Sequence, residues 1–473
     1  MKISLPLFAI VAILALSGCT TEKQKPNIVF IFIDDMGWKD VGFMGATYYE
    51  TPNIDRLANG GMIFTNAYAN AANCAPTRAC LLSGQYTPRH GLFTVAGSDR
   101  GKSKDRRIVP IKNTTEISLD KITIAKALKP AGYVSAAIGK WHVGHKPQEQ
   151  GFDVGIDRGD LGYPYGHYNK DSVYLTDHLT DVAVSFIQEN NPKETGKPFF
   201  LYLAHHAVHT PIQAKEEITK KYENKEGVDC HNNATYASMV ESVDESVRDV
   251  NNVLEELGLS DNTLVIFFSD NGGHGTFTCQ KPLRGGKGMY YEGGIREPMF
   301  AYWPGTITPG STNDIPVIST DFYPTFLELA GQAAPENYPL DGKSIVPLLS
   351  SQSIERPSLY WHFPAYLESY AGLKEDSRDP VFRTRPVSVI RKGDWKLLLF
   401  YEEWMLDGGR DQIATNNSVE LYNLNNDIGE TNNLSNKEVG KRDELLDDLL
   451  TWIEETGAPV PAKGNPEYIE SEL

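Results

Sequence analysis

Four apolar runs that end abruptly in polar residues constrain the fold of this chain more than any other feature. The four runs are residues 27–33, 133–138, 199–204 and 263–268. They are rich in β-branched and aromatic side chains and lack a regular polar alternation, which is typical of parallel strands covered on both faces. Helical patterns lie between them, at 122–128 and 239–257. The chain therefore predicts an α/β fold with a large, mixed, mostly parallel sheet between helices.

Polar residues able to do chemistry follow each run. They are Asp34 and Asp35, Lys140 and His142, His205, His206 and His209, and Asp270 and Asn271. In open α/β sheets, ligands bind outside the carboxyl ends of the strands. We therefore expect these four groups to meet in one site at that end of the sheet.

A change of pattern after about residue 350 predicts a second, smaller unit. Its apolar runs and its amphipathic helical pattern are residues 388–391, 395–401, 420–424 and 442–455. The turn sequence Lys392-Gly393-Asp394 between the first two runs favours a hairpin. We expect a catalytic domain over 27–350 and a C-terminal α+β subdomain over 351–473, with a small antiparallel sheet and a helix.

The N-terminal residues have the pattern of a targeting segment. Lys2 supplies a positive start, and residues 5–16 form an apolar run too short to span a bilayer. Leu16-Ser17-Gly18-Cys19 resembles a bacterial lipobox, which implies a lipoprotein signal peptide over 1–18. An ordinary secretory signal is the alternative.

The lipobox resemblance also implies a location. Cys19 would be lipidated by the lipoprotein processing machinery, and residues 19–26 would form a short tether. Thr20 after the cysteine favours the outer membrane. We expect a protein of the bacterial cell envelope that contacts the membrane through its lipid anchor only.

The net charge and the number of cysteines limit which kinds of protein this chain can be. The chain of 473 residues has 45 basic and 62 acidic residues and a net charge of −17, which argues against nucleic acid as a partner but allows a local cationic pocket. Beyond Cys19 the cysteines are Cys74, Cys80, Cys230 and Cys279. They are too few for a disulfide framework in a chain of this length. An oxidising compartment permits a Cys230–Cys279 bridge, but the sequence alone does not establish it.

The segment from Cys74 to Gly84 predicts a short helix with a cysteine at its start. Pro76 suits the first turn, where a missing N–H costs nothing, and Gly84 suits the C-terminal stop. The N-terminus of a helix favours an anion, because its free N–H groups and its dipole point there. A buried thiol before an ordinary helix would produce the same pattern.

Taken together, these motifs resemble the formylglycine-dependent type I sulfatases of the alkaline-phosphatase superfamily. The resemblance runs from Asn27 to about Glu430. It is carried by the C-x-P-x-R pattern at Cys74, the G-K-W-H pattern ending at His142, the histidine before Thr-Pro at His209, and the segment G-K-G at Lys287. Residues 360–364 and 390–396 resemble segments of polysaccharide sulfatases of Bacteroidetes.

The resemblance implies that a maturase oxidises Cys74 to formylglycine, with Arg78 as its orienting partner. One hydroxyl of the hydrated aldehyde would attack sulfur and displace the alcohol. The second hydroxyl would then lose its proton, restoring the aldehyde and expelling inorganic sulfate, so one difficult step is split into two.

The resemblance also assigns a metal site and the groups that bind and protonate the ester. Its ligands would be Asp34, Asp35, Asp270 and Asn271. Oxygen ligands suit Ca²⁺, and Mg²⁺ less well because it prefers to keep waters. Asp270 would also take the proton of the attacking hydroxyl. The other assignments are Lys140 and Lys287 as sulfate clamps, His142 as base, and His209 as general acid and substrate-binding residue. Apart from the resemblance, we expect His205 and His206 to be structural or to support neighbouring site residues.

The sequence leaves the substrate open. A surface lipoprotein meets polymers outside the cell, so we expect a sulfated carbohydrate, such as a sulfated galactan or a galactosaminoglycan. His90, His274 and His362 are the candidate specificity residues. A phosphonate or phosphodiester hydrolase of the same superfamily, and an unmodified sugar-binding lipoprotein, remain as alternatives.

Overall fold

The computed structural model describes residues 24–370 and 376–470. The expected signal peptide over 1–18 and the lipidation site Cys19 lie outside the described residues. In the part of the chain that is described, no helix is both long enough and apolar enough to cross a membrane.

Strands and helices, singly or in small groups, follow one another along the described chain. The strands are β1 (Asn27–Ile33), β2 (Met62–Phe64), β3 (Ala67–Tyr68), β4 (Val134–Gly139), β5 (Val154–Ile156), β6 (Phe199–Ala204), β7 (Thr263–Ser269), β8 (Arg296–Glu297), β9 (Met299–Tyr302), β10 (Ser311–Asn313), β11 (Val317–Ile318), β12 (Leu359–Phe363), β13 (Leu367–Glu368), β14 (Phe382–Thr384), β15 (Val387–Lys392), β16 (Trp395–Phe400) and β17 (Val419–Asn423). The α-helices are α1 (Pro52–Gly60), α2 (Cys74–Ser83), α3 (Thr87–His90), α4 (Ile124–Leu128), α5 (Leu175–Glu189), α6 (Pro192–Thr195), α7 (Glu216–Glu223), α8 (Ala234–Glu256), α9 (Glu292–Ile295), α10 (Phe322–Leu329), α11 (Val346–Leu349), α12 (Tyr401–Leu406) and α13 (Val439–Thr456).

The main sheet has the order β10-β2-β9-β7-β1-β6-β4-β5. The five strands β7, β1, β6, β4 and β5 are parallel, and β9 is antiparallel to both of its neighbours. This is the mixed, mostly parallel sheet that the apolar runs predict, and the fold class is confirmed.

Strand β1 explains why its run lacks polar alternation. Phe30 and Phe32 pack into the core on one face of the sheet, and Val29 and Ile31 pack into the core on the other. Because successive side chains of a strand point to opposite faces, a sheet covered on both sides needs apolar residues at every position.

Two helices begin earlier or later than the patterns indicate, and capping explains both. Helix α4 begins at Ile124 because the hydroxyl of Thr123 accepts a hydrogen bond from the Lys126 amide. Helix α8 begins five residues before the pattern, at Ala234, because the side chain of Asn233 accepts from the Tyr236 amide.

The C-terminal unit is a second, antiparallel sheet of order β12-β15-β16-β17, followed by the eighteen-residue helix α13. The hairpin is confirmed: β15 pairs with β16 around Gly393, whose φ of 58° favours glycine. Tyr401, expected at the end of a strand, instead begins α12. The division of the chain at residue 350 stays a prediction.

A disulfide joins Cys230 and Cys279, which the sequence permits but does not establish. Their Cα atoms lie 6.0 Å apart, within the range of natural disulfides. The bridge fastens the loop after β7 to the segment before α8, and it closes a stretch with a sequence separation of 49.

The double variant Cys230→Ser/Cys279→Ser is expected to lower the free energy of unfolding by about 2–4 kcal/mol, because the bridge limits the unfolded chain. Urea denaturation with and without reductant measures the effect. Reductant should shift the wild-type curve toward that of the variant and leave the variant unchanged. An identical wild-type curve with and without reductant would contradict the prediction.

Candidate active site

The carboxyl ends of the parallel strands bring the predicted site residues together. Ile33 pairs with Ser269 in the register of β1 and β7, so Asp34 and Asp35 lie beside Asp270. The amide of Asp35 donates to Oδ1 of Asp270 at 3.2 Å. Strands β4 and β6 end at the same edge, which brings their polar residues to the same place. The convergence expected from the four runs is confirmed.

The four predicted ligand side chains are buried and partly unsatisfied. Asn271 Nδ2 donates to Oδ1 of Asp35 at 2.9 Å. Oδ1 of Asp34 and Oδ1 of Asn271 are buried without a hydrogen-bond partner. Ligand atoms of Asp34, Cys74 and Asp270 lie within 4.8 Å of one another. Buried oxygens that lack donors are what a hard divalent cation requires, so these residues fit a metal such as Ca²⁺.

The charges of these carboxylates are set by their neighbours. Burial opposes ionisation of Asp34, yet Lys140, His209 and Arg78 hold its pKa well below the ordinary value. Burial likewise opposes ionisation of Asp35, and Lys287 and His209 lower its pKa. For Asp270, burial and the charge of Asp34 raise the pKa despite Arg78. Three carboxylates this close favour a bound cation.

Cys74 is the first residue of α2, as the sequence predicts, and Gly84 ends that helix with a φ of 67°. The cysteine is only 2% exposed and lines the cavity described below. One turn later, Nε and Nη2 of Arg78 donate to Oδ2 of Asp270 at 3.0 and 2.6 Å. Arg78 Nη1 donates to the carbonyl of Lys140 at 2.7 Å. The fully buried guanidinium thus fastens α2 to two strand ends.

Each predicted lysine clamp contacts one of the carboxylates that are predicted to bind the metal. Lys140 is ion-paired with Asp34, and Nζ of Lys287 lies 2.6 Å from Oδ2 of Asp35. Burial lowers the pKa of both lysines, but the adjacent carboxylates outweigh it and raise the pKa values above the ordinary value. Both ammonium groups therefore stay charged, and both line the cavity.

The two predicted acid–base histidines also line the cavity. Burial, together with Lys140 and Arg78, lowers the pKa of His142 to about 3, so its imidazole is neutral and can accept a proton. His142 has a φ of 61°, a backbone conformation that is costly outside glycine and concentrated at functional sites. His209 Nδ1 lies 2.6 Å from the Thr210 carbonyl, and burial lowers its pKa.

The neighbouring histidines have other partners. His205 Nε2 lies 2.9 Å from the Ser246 hydroxyl on α8, in the interior. His206 Nε2 lies 2.7 Å from Oδ1 of Asp157, and this pair lines the cavity. The structural role expected for His205 agrees with its position, whereas His206 is close enough to contact substrate.

Of the three candidate specificity histidines, only His274 lines the cavity. His90 lies away from it, with Nε2 3.4 Å from the thiol of Cys80. His362 is buried in the C-terminal sheet, where its ring nitrogens contact Ser388 and the Pro459 carbonyl. The assignments of His90 and His362 are therefore corrected, since a histidine beside an apolar run can face the interior.

The cavity has a volume of about 610 Å³, enough for a sugar ring and its neighbours. Its wall also includes residues that the motifs do not indicate, namely Arg100, Asp157, Arg158, Tyr165, Tyr370 and Arg383. They come from loops and from the C-terminal unit, and no local sequence signal marks them. A cysteine at a helix start, a metal-ligand cluster and two lysines facing one cavity form a site for hydrolysis of an anionic ester.

This fold and this site define a hydrolase of the alkaline-phosphatase superfamily, of the type I sulfatase class. The chain belongs to the sulfatase family: the family model described as Sulfatase matches residues 26–332. A second model, described as N-sulphoglucosamine sulphohydrolase, C-terminal, matches residues 285–456. The protein is thus a sulfatase, a hydrolase of sulfate esters.

Relatives cover most of the chain. A protein named Sulfatase from Formosa agariphila is 33% identical over 96% of this chain and 94% of its own length. N-acetylgalactosamine-6-sulfatase of Homo sapiens is 32% identical over 75% of this chain and 72% of its own length. The crystal structure of Ps i-CgsB is 31% identical, covers 93% of this chain and 95% of its own, and superposes with a TM-score of 0.72.

Proposed function

We propose that this sulfatase removes O-sulfate from a sulfated poly- or oligosaccharide, using a formylglycine made from Cys74 and a bound calcium ion. The observation that carries the proposal is the position of Cys74. It begins α2, faces the cavity, and has its thiol grouped with carboxylate oxygens of Asp34 and Asp270.

Among the residues around Cys74, some bind the sulfate ester and others transfer protons. A formylglycine at position 74 would supply, as its hydrate, a hydroxyl nucleophile for sulfur, and a cation held by Asp34, Asp35, Asp270 and Asn271 would supply Lewis-acid chemistry. Lys140 and Lys287 bind the remaining sulfate oxygens, and their fixed charges stabilise the transition state. Asp270 accepts the proton of the nucleophile.

The two histidines act in different steps of the reaction, one as a proton donor and the other as a proton acceptor. His209 donates a proton to the leaving alcohol oxygen, and an anionic ester beside it favours the charged imidazole. His142 is neutral in the free protein and accepts the proton whose loss releases inorganic sulfate. Arg78 holds α2 and Asp270 in register, so it positions the nucleophile.

Two relatives support a carbohydrate substrate. N-acetylgalactosamine-6-sulfatase is named for a sulfated amino sugar, and Ps i-CgsB has been solved in complex with k-i-k-neocarrahexaose. A sulfated galactan or galactosaminoglycan is accordingly the substrate class we propose. The cavity opens between the strand ends and the C-terminal unit, where a saccharide can enter.

We also propose that the protein is anchored in the outer membrane by a lipid on Cys19. The lipobox resemblance at 16–19 supports this, and so does the Cys230–Cys279 disulfide, because such bridges form in oxidising compartments. The maturase and the lipoprotein machinery would then both act on the chain. Labelling with a radioactive fatty acid, with Cys19→Ala as the control, tests the anchor: label retained in the variant would contradict it.

The test of the function is a substrate panel assayed with protein matured in a host that makes formylglycine. Sulfate release from defined sulfated galactan and galactosaminoglycan oligosaccharides is expected to exceed phosphodiester hydrolysis by about 100-fold or more in kcat/KM. A phosphodiester preference of that size would contradict the proposal. So would an enzyme that hydrolyses an aryl sulfate but no sulfated saccharide.

A further inference from the structure

The wall of the cavity contains an arginine to which the predicted motifs assign no role. Arg383 belongs to β14, in the C-terminal half of the chain, and lines the same cavity as Cys74 and Lys287. Its guanidinium lies over the ring of Tyr370 at 4.5 Å from the centroid. His274 stacks on the same ring at 4.2 Å. The three side chains form one rigid wall element, which we call the His–Tyr–Arg stack.

The stack is fastened to the catalytic residues. The hydroxyl of Tyr370 donates to the carbonyl of Lys287 at 3.1 Å, and Nη1 of Arg383 lies 3.4 Å from that oxygen. A Cβ atom on Gly288 would lie 2.7 Å from Nε of Arg383, so only a glycine leaves room for the guanidinium. The Gly288 amide donates to the carbonyl of Ala72 at 2.7 Å, two residues before Cys74. Arg383 is thus packed against the backbone that carries the reacting residues.

Arg383 forms no ion pair with any described residue, in contrast to three other arginines of this region. Arg100 pairs with Glu368 at 3.0 Å, Arg378 with Glu420 at 2.9 Å, and Arg385 with Glu403 at 2.7 Å. Among residues 24–370 and 376–470, Arg383 forms no ion pair, and its Nε is buried without a hydrogen-bond partner. An unpaired guanidinium in a half-buried wall is costly unless an anion binds it.

We propose that Arg383 is a specificity residue that binds a second oxyanion of the saccharide, beside the sulfate that is cleaved. Its planar fork of donors matches a sulfate ester or a uronate carboxylate with two parallel hydrogen bonds. Lys140 and Lys287 are already engaged at the reacting sulfate and its metal ligands, so a second anion needs its own cation. This inference rests on the proposed carbohydrate sulfatase function and specifies its substrate class.

The test compares kcat/KM for three saccharides: a monosulfated sugar, its disulfated counterpart, and a monosulfated sugar linked to a uronate. Arg383→Gln is expected to lower the ratio of kcat/KM for a dianionic saccharide to kcat/KM for the monosulfated sugar by about 10- to 100-fold. Arg383→Lys keeps the charge but loses the fork, and should restore only part of the ratio. A loss with the disulfated sugar alone identifies a sulfate ligand, and a loss with the uronate alone identifies a carboxylate.

Arg158→Gln is the matched control. Arg158 also lines the cavity, but it lies over the ring of Tyr165, which is 66% exposed, and makes no contact with the backbone of Lys287. Its removal should change the ratio by less than about threefold. Equal losses on all three substrates in Arg383→Gln would show that the residue only positions Lys287, and an unchanged ratio would also overturn the inference. If the wild-type enzyme releases sulfate from none of the saccharides, the proposed function itself fails.

Discussion

Replacing Cys74 with alanine is expected to lower kcat for sulfate ester hydrolysis by about 10⁴-fold or more, the scale seen when a covalent nucleophile is removed. The remaining lysines and metal ligands can still bind sulfate, so binding of inorganic sulfate should survive. Sulfate release under saturating substrate measures the first effect, and calorimetry with sulfate measures the second.

Cys80→Ala provides the matched control. Cys80 is the other free cysteine among the described residues, is buried in the same helix, and lies next to His90 rather than in the cavity. Its replacement should cost stability through a small void but leave kcat within about threefold of wild type. A Cys74→Ala protein that keeps a tenth of the wild-type activity would contradict the assignment of the nucleophile.

Removing Asp34 is expected to abolish tight calcium binding and to lower kcat/KM by about 10³-fold, or roughly 4 kcal/mol of transition-state stabilisation. The carboxylate is a proposed metal ligand and also balances the charges of Lys140 and Arg78, so its loss leaves two buried cations together. Asp34→Asn keeps the shape of the side chain and one of its oxygens. It therefore tests the prediction even where Asp34→Ala fails to fold. Metal content by mass spectrometry and the thermal midpoint with chelator or added Ca²⁺ measure the result.

Asp244→Asn is the comparison for this prediction. Asp244 is another buried aspartate, and its Oδ1 accepts from the amides of Asn53 and Ile54 at 2.9 and 2.8 Å, at the start of α1. Its variant should unfold at a lower temperature yet keep the calcium-dependent rise in the midpoint, since binding to the folded state stabilises it. An Asp34 variant with the wild-type calcium response would refute the metal site.

The catalytic half of the site can be predicted from the sequence because its residues lie at the ends of strands, and the apolar runs show where those strands end. An apolar run of seven residues that is rich in β-branched and aromatic side chains is typical of a buried strand, and the parallel register then places Asp34 beside Asp270. The bounds of α2 can be predicted as well, because Pro76 suits the first turn of a helix and Gly84 suits its C-terminal stop. Local sequence patterns thus predict where Cys74, the proposed metal ligands and Lys140 lie.

The substrate-binding half could not be predicted in the same way. Tyr370 and Arg383 reach the cavity because the segment that contains β13 and β14 packs against the loop of Lys287, in contacts between residues 83 and 96 positions apart. His362 lies on β12, none of whose residues lines the cavity, and its side chain faces Ser388 of the neighbouring strand β15. The sequence does not reveal where β12 lies relative to the cavity. Contacts between residues far apart in the sequence form the substrate-binding wall. The sequence of a single chain contains little information about such contacts.

The mass of the Cys74 peptide from active protein, purified from its native host, tests the central claim most directly. Conversion of the thiol to an aldehyde lowers the mass by about 18 Da, and the aldehyde reacts with a hydrazide probe. We expect the lighter, probe-reactive peptide in a proportion that tracks sulfatase activity from one preparation to the next. Fully active protein in which every Cys74 peptide carries the unmodified thiol would contradict the account.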